Sequence, residues 1–106
     1  MHTVAALPAL PRLQTVAAER QRTPEYHHEG RFRQRETHFL FKYTLSGEGV
    51  FRDRQGEHRV PAGSGFLCEI RDPATAYYYP ENGRDPWEFV YLCFAGGFSD
   101  SVVRNL

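Results

Sequence analysis

The chain has 106 residues, 41% hydrophobic and 25% charged, which is enough for one domain and too little for two. Thirteen basic residues balance thirteen acidic ones, so the totals signal no basic nucleic-acid-binding surface. No apolar stretch approaches the ~20 residues of a membrane span.

Nine glycines and seven prolines imply frequent turns and favour many short strands over a helical bundle. Pro8 and Pro11 break the only apolar stretch near the N-terminus. Residues 1–12 therefore read as an arm without a signal peptide, and a cytoplasmic location is the default. Residues 13–97 carry the strand signals. Leu13 to Ala18 is a candidate first strand, and the polar stretch from Gln21 to Arg35 reads as extended or looped. If it is extended, Arg31, Arg33 and Arg35 share a face. His27 and His28 are adjacent, so on a strand they point to opposite faces and cannot chelate as a pair. His58, between charged neighbours, reads as exposed.

From His38 to Ser46 the chain is aromatic and β-branched. The bulk sits at Phe39, Phe41, Tyr43 and Leu45, so these are expected to face the interior. Gly47-Glu48-Gly49 is a tight turn, followed by strands over Val50 to Asp53, Glu57 to Val60 and Phe66 to Ile70. A proline-containing turn at Arg71 to Ala74 leads to Thr75 to Tyr79. Trp87 to Ala95 is the longest and most apolar strand. In residues 98–106, Ser99 or Asp100 can cap a helix with Val102, Val103 and Leu106 on one face. A helix that opens so late implies a longer parent chain. Seven or eight short strands with regular turns predict an all-β sandwich or jelly-roll barrel. Cys68 and Cys93 each lie in an apolar run and read as buried free thiols rather than a disulfide. Twelve of the basic residues are arginine and one is Lys42, a skew that reads as compositional.

Three motifs carry a family resemblance. They are Phe41-Lys42-Tyr43-Thr44-Leu45-Ser46-Gly47-Glu48-Gly49, Val60-Pro61-Ala62-Gly63-Ser64-Gly65-Phe66-Leu67, and Tyr77-Tyr78-Tyr79-Pro80 followed by Trp87 to Gly96. In order and spacing they resemble the N-terminal sensory domain of AraC-type transcriptional regulators. The resemblance covers roughly residues 36 to 97. It implies a cupin-type jelly roll that binds a small effector, often a sugar, between two sheets. It also implies a homodimer in the full protein, with DNA bound only through a C-terminal helix-turn-helix domain beyond this chain.

Cupin enzymes converge several N/O ligands on a metal. Here the corresponding slots fall on Arg35, Leu40 and Lys42, with His38 available in one register only, and later on Phe66 and Ile70. A metal site and any other cofactor are not expected. Along the last strand Trp87, Phe89, Tyr91 and Cys93 share one face, and Glu88 marks the other as the outside. An aromatic floor with a few hydroxyls suits a sugar. The resemblance places Phe89, Tyr91 and Tyr78 at ligand-facing positions and puts Arg33 near a ligand-binding arginine. The candidate ligand set is thus Arg33, Tyr78, Trp87, Phe89 and Tyr91. Which side of the Tyr77 to Tyr79 run points inward stays open. The expected function is small-molecule sensing in a regulator, without catalysis. The alternatives are a metal-dependent cupin enzyme (isomerase or dioxygenase) and a dimerisation module with a sealed core.

Overall fold

The computed structural model describes residues 12–95. Eight strands run in chain order: β1 (Arg12–Gln21), β2 (His27–Glu29), β3 (Phe39–Ser46), β4 (Glu48–Asp53), β5 (Gly56–Pro61), β6 (Gly65–Glu69), β7 (Ala76–Tyr78) and β8 (Trp87–Ala95). The arm up to residue 11 and the helix start at 98–106 lie outside the described residues.

The turns follow the local chemistry. Between β3 and β4 the chain reverses at Gly47, whose φ of 72° suits a residue without Cβ. The β4–β5 hairpin closes with Asp53 opposite Gly56, and the Asp53 carboxylate accepts the Gln55 N–H at 2.8 Å. Before β7, Asp72 accepts the Ala74 N–H at 2.9 Å, and its carbonyl accepts the Thr75 hydroxyl at 2.9 Å.

The strands form two four-stranded sheets, ordered β1-β8-β3-β6 and β2-β7-β4-β5, and every pairing is antiparallel. Successive strands alternate between sheets over much of the chain, which is the jelly-roll plan. β8 lies between β1 and β3, with Gln21 opposite Trp87 at one end and Phe39 opposite Phe94 at the other. The all-β jelly-roll expectation therefore holds.

One local expectation is corrected, and two points that the sequence leaves open are decided. In β3 the inward residues are Leu40, Lys42 and Thr44, whereas Tyr43 and Leu45 are exposed and Phe41 is half-buried. The reason lies in the partners: the Thr44 hydroxyl donates to the Val60 carbonyl at 3.0 Å and accepts from Trp87 Nε1 at 2.8 Å. Polar side chains with such partners are at home inside. The polar stretch before β3 is not continuous. A 3-10 turn over Gly30–Phe32 interrupts it, and the three arginines share no face: Arg33 turns inward, whereas Arg31 and Arg35 are exposed. In β7 it is Tyr77 that is buried, at 7% exposure.

One end of the barrel is filled. Phe51 and Phe66 stack at 4.3 Å across the two sheets, and Trp87 is fully buried beside Gly49. The other end is hollow.

Candidate functional site

The hollow end is a cavity of about 260 Å3 whose walls come from both sheets and from the β1–β2 and β2–β3 connections. β1 supplies Glu19, β2 supplies His28, β3 supplies Leu40 and Lys42, β7 supplies Tyr77, and β8 supplies Tyr91 and Cys93. Tyr26 and Arg33 enter from the connections.

Lys42 is the central feature. It is 2% exposed. Its ammonium lies 4.0 Å from the ring centres of both Tyr77 and Phe89, 4.9 Å from Tyr26 and 5.3 Å from Trp87. Aromatic faces attract a cation, but they do not replace a counter-ion. Among the described residues no carboxylate forms an ion pair with it. Its hydrogen-bond partner is the Tyr26 hydroxyl. Burial pushes its pKa down to about 7, against the opposing pull of Glu19.

Pairing and burial shift the surrounding groups as well. Arg33 holds Glu36 through two hydrogen bonds of 2.8 and 2.7 Å and donates to the Tyr77 hydroxyl at 2.9 Å. That pairing with Glu36 raises the arginine pKa further. Burial pushes the Tyr77 phenol up to about 12, and it raises Tyr26 as well. The His28 imidazole is pushed down by burial and by the neighbouring Arg33 and Lys42 charges, which favours its neutral form. The Cys68 thiol rises to about 12 and Cys93 also rises, both through burial. The cavity thus offers phenols, a neutral imidazole, a paired guanidinium and one amine that titrates near neutrality.

The sequence-based candidates divide. Arg33 and Tyr91 line the cavity. Trp87 and Phe89 face the interior as expected but are 0% exposed. They are core residues that support Lys42 and do not line the hollow, because Trp87 is spent on Thr44 and on packing against Gly49. Tyr78 lies apart from the other four. It points away from the interior, stacks on His27 with ring centres 4.6 Å apart, and donates to Glu57. Sequence reasoning placed Lys42 outside and missed Tyr26, His28, Tyr77 and Glu19. The lone lysine among thirteen basic residues was the available signal.

Tyr78 instead borders a larger hollow of about 690 Å3 on the outer face of the β2-β7-β4-β5 sheet. Its arginines and histidines already have carboxylate partners. Arg52 binds Glu29 at 2.6 Å, Arg59 binds Glu48 at 2.6 Å, and His58 meets Asp53 at 2.9 Å. The inner cavity is the better candidate because its central cation has no such partner.

A cupin metal does not fit this interior. Of the matching places, Arg35, Leu40, Lys42, Phe66 and Ile70 provide no anionic or imidazole donor, His38 at the cavity wall is a single imidazole, and the ammonium repels a cation. Among the described residues no three His, Cys, Asp or Glu side chains converge on one point. No described helix is long and apolar enough to cross a membrane.

Solved structures share the fold at low identity. A predicted oxalate decarboxylase from Thermotoga maritima is 21% identical, with TM-score 0.57, over 80% of this chain and 69% of that one. A sugar phosphate isomerase of the cupin superfamily from Silicibacter pomeroyi is 18% identical, with TM-score 0.53, over 76% of this chain and 50% of that one. A cupin protein from Bacteroides fragilis is 12% identical, with TM-score 0.55, over 91% and 85%. These likenesses establish the cupin fold. No curated protein matches the chain in sequence. The sequence does match the AraC-like ligand binding domain over residues 14–106, and with the two-sheet barrel and its internal cavity this places the chain in that family.

Proposed function

We propose that the chain is the effector-sensing domain of a cytoplasmic transcriptional regulator, without catalytic turnover, and that its effector is a sugar or sugar derivative held between the two sheets. The observation that carries this reading is the inner cavity, in which Arg33, Tyr91, Tyr26, Tyr77 and His28 surround an unpaired Lys42. At about 260 Å3 it is slightly below the ~300–1,000 Å3 typical of drug-sized ligand sites, so the guest is small. Phenols, imidazole and guanidinium match clustered hydroxyls, and the rings of Tyr77 and Tyr91 match the apolar faces of a sugar. The ligand acts by preferring one arrangement of the regulator over another, with a homodimer and a helix-turn-helix domain as the elements that respond.

Calorimetric titration with sugars and sugar acids tests this. Saturable heat from one of them, lost in Arg33→Ala, is expected. Heat from none of them removes the carbohydrate version. A catalytic cupin is the competing reading that the sugar phosphate isomerase likeness raises. Stoichiometric iron, manganese or zinc in the purified protein would favour it and overturn the sensor.

A further inference from the structure

We propose that Lys42 captures the guest covalently: its amine condenses with an aldehyde or ketone carbonyl of the ligand to form a reversible imine. This rests on the reading that the cavity receives a small molecule. It adds that the guest carries a free carbonyl, as an open-chain aldose or a small hydroxyaldehyde does.

The choice of residue points to this chemistry. Twelve of the thirteen basic residues are arginine, the side chain suited to holding a carboxylate. The single lysine is placed at the cavity, against aromatic rings and a phenol rather than a carboxylate. Arginine cannot give up its proton in a protein, whereas a buried lysine can. The same burial that lowers Lys42 raises the thiols of Cys68 and Cys93, so they are poor competing nucleophiles. The other charged groups at the cavity are Arg33, tied to Glu36, and Glu19 on the β1 wall. Glu19 disfavours an anionic guest and leaves a neutral carbonyl compound unhindered.

The geometry supplies the proton path. The Lys42 nitrogen donates to the Tyr26 hydroxyl oxygen, and the raised pKa of Tyr26 keeps that hydroxyl protonated, so it has a proton to give. The neutral amine attacks the carbonyl carbon. A C–N bond forms, the C=O π pair moves to oxygen, and that oxygen takes the Tyr26 proton. The nitrogen returns one of its own protons to Tyr26. The carbinolamine then expels its hydroxyl, the second nitrogen-borne proton leaves with it as water, and C=N results. One amine and one carbonyl give one imine and one water, with no change of oxidation state.

The single lysine makes the test unambiguous. The chain is incubated at pH 7 with glycolaldehyde and cyanoborohydride, which reduces the imine to a stable secondary amine, and the product is mapped by peptide mass. The expected result is a hydroxyethyl group on Lys42, formed at least tenfold faster than on Lys42 of the same chain unfolded in guanidinium. Tyr26→Phe slows labelling severalfold while Lys42 remains the site, and the mapping of the unaltered chain stands whether or not that variant folds. A label confined to the chain's α-amino group, or Lys42 labelled no faster than in the unfolded chain, overturns the proposal. A sugar that binds by calorimetry yet leaves no adduct also overturns it, while the sensing function stands.

Discussion

At the scale of single residues, Lys42 couples stability to pH. Its folded pKa is about 7, against ~10.4 in an unfolded chain. Below pH 7 both states hold the proton and the folded state bears the full cost of a buried charge. Above pH 7 the folded chain releases the proton while the unfolded chain keeps it, so the unfolded state binds more protons and stability rises with pH. From pH 7 to 8.5 the gain is about 1.5 kcal/mol for a pKa of about 7. His28, also pushed down, contributes in the same direction, but mainly below its unfolded pKa of ~6.5. Cys68 and Tyr77, raised to about 12, act oppositely at higher pH: they lose stability as pH rises past their unfolded values. The window of Lys42 is therefore narrow. Urea melts at pH 7, 7.75 and 8.5 should show the midpoint climbing, and Lys42→Met should flatten that climb. An equal climb in the variant would mean that Lys42 stays charged in the fold.

At the scale of elements, Thr44 ties three strands together. From β3 it donates to the Val60 carbonyl on β5, in the opposite sheet, and accepts the Trp87 indole N–H on β8. Thr44→Val keeps the shape and strands both partners in the core, at a cost of about 1–3 kcal/mol. Gly49→Ala offers a second check on the same region. A Cβ there would lie 2.2 Å from the Trp87 ring, and forcing apart a packed core costs about 1–3 kcal/mol. Both show as lowered denaturation midpoints, and an unchanged midpoint for either would mean that the filled end of the barrel is loosely packed. This region also shows what the sequence could disclose. The strands were legible because glycine and proline punctuate them, and the inward face of β8 was legible because Glu88 marks its outside. In β3 period-2 alternation separated the two faces correctly, but both carry apolar residues, and Lys42 and Thr44 looked like solvent-facing groups. What reversed them was partners from distant strands, Tyr26 for one and Trp87 with Val60 for the other. The three consecutive tyrosines stay undecided in the sequence for the same reason. Alternation set Tyr77 apart from Tyr78, but only the Arg33 and Glu57 contacts decide which points inward.

At the scale of the whole molecule, the cavity is where the two sheets meet. Glu19, Lys42 and Tyr91 belong to one sheet, and His28 and Tyr77 to the other. A guest held there bridges both sheets, whereas one in the outer hollow touches only the β2-β7-β4-β5 side and its loops. The two sites therefore predict different patterns of amide hydrogen exchange. A ligand that binds only the folded state at about 100 times its Kd stabilises it by about 2.7 kcal/mol, and every amide that exchanges through global unfolding slows accordingly, roughly a hundredfold. Local openings slow only where the ligand stands in their way. Bridging makes separation of the sheets itself such an opening. With an effector in the inner cavity, protection should thus extend to subglobally exchanging amides of β1, β3 and β8 as well as β2 and β7. Exchange measured with and without a saturating effector reads this directly. Added subglobal protection limited to β2, β4, β5 and β7 would move the effector to the outer hollow, where Tyr78 and His27 would take the places assigned above to Tyr77 and His28.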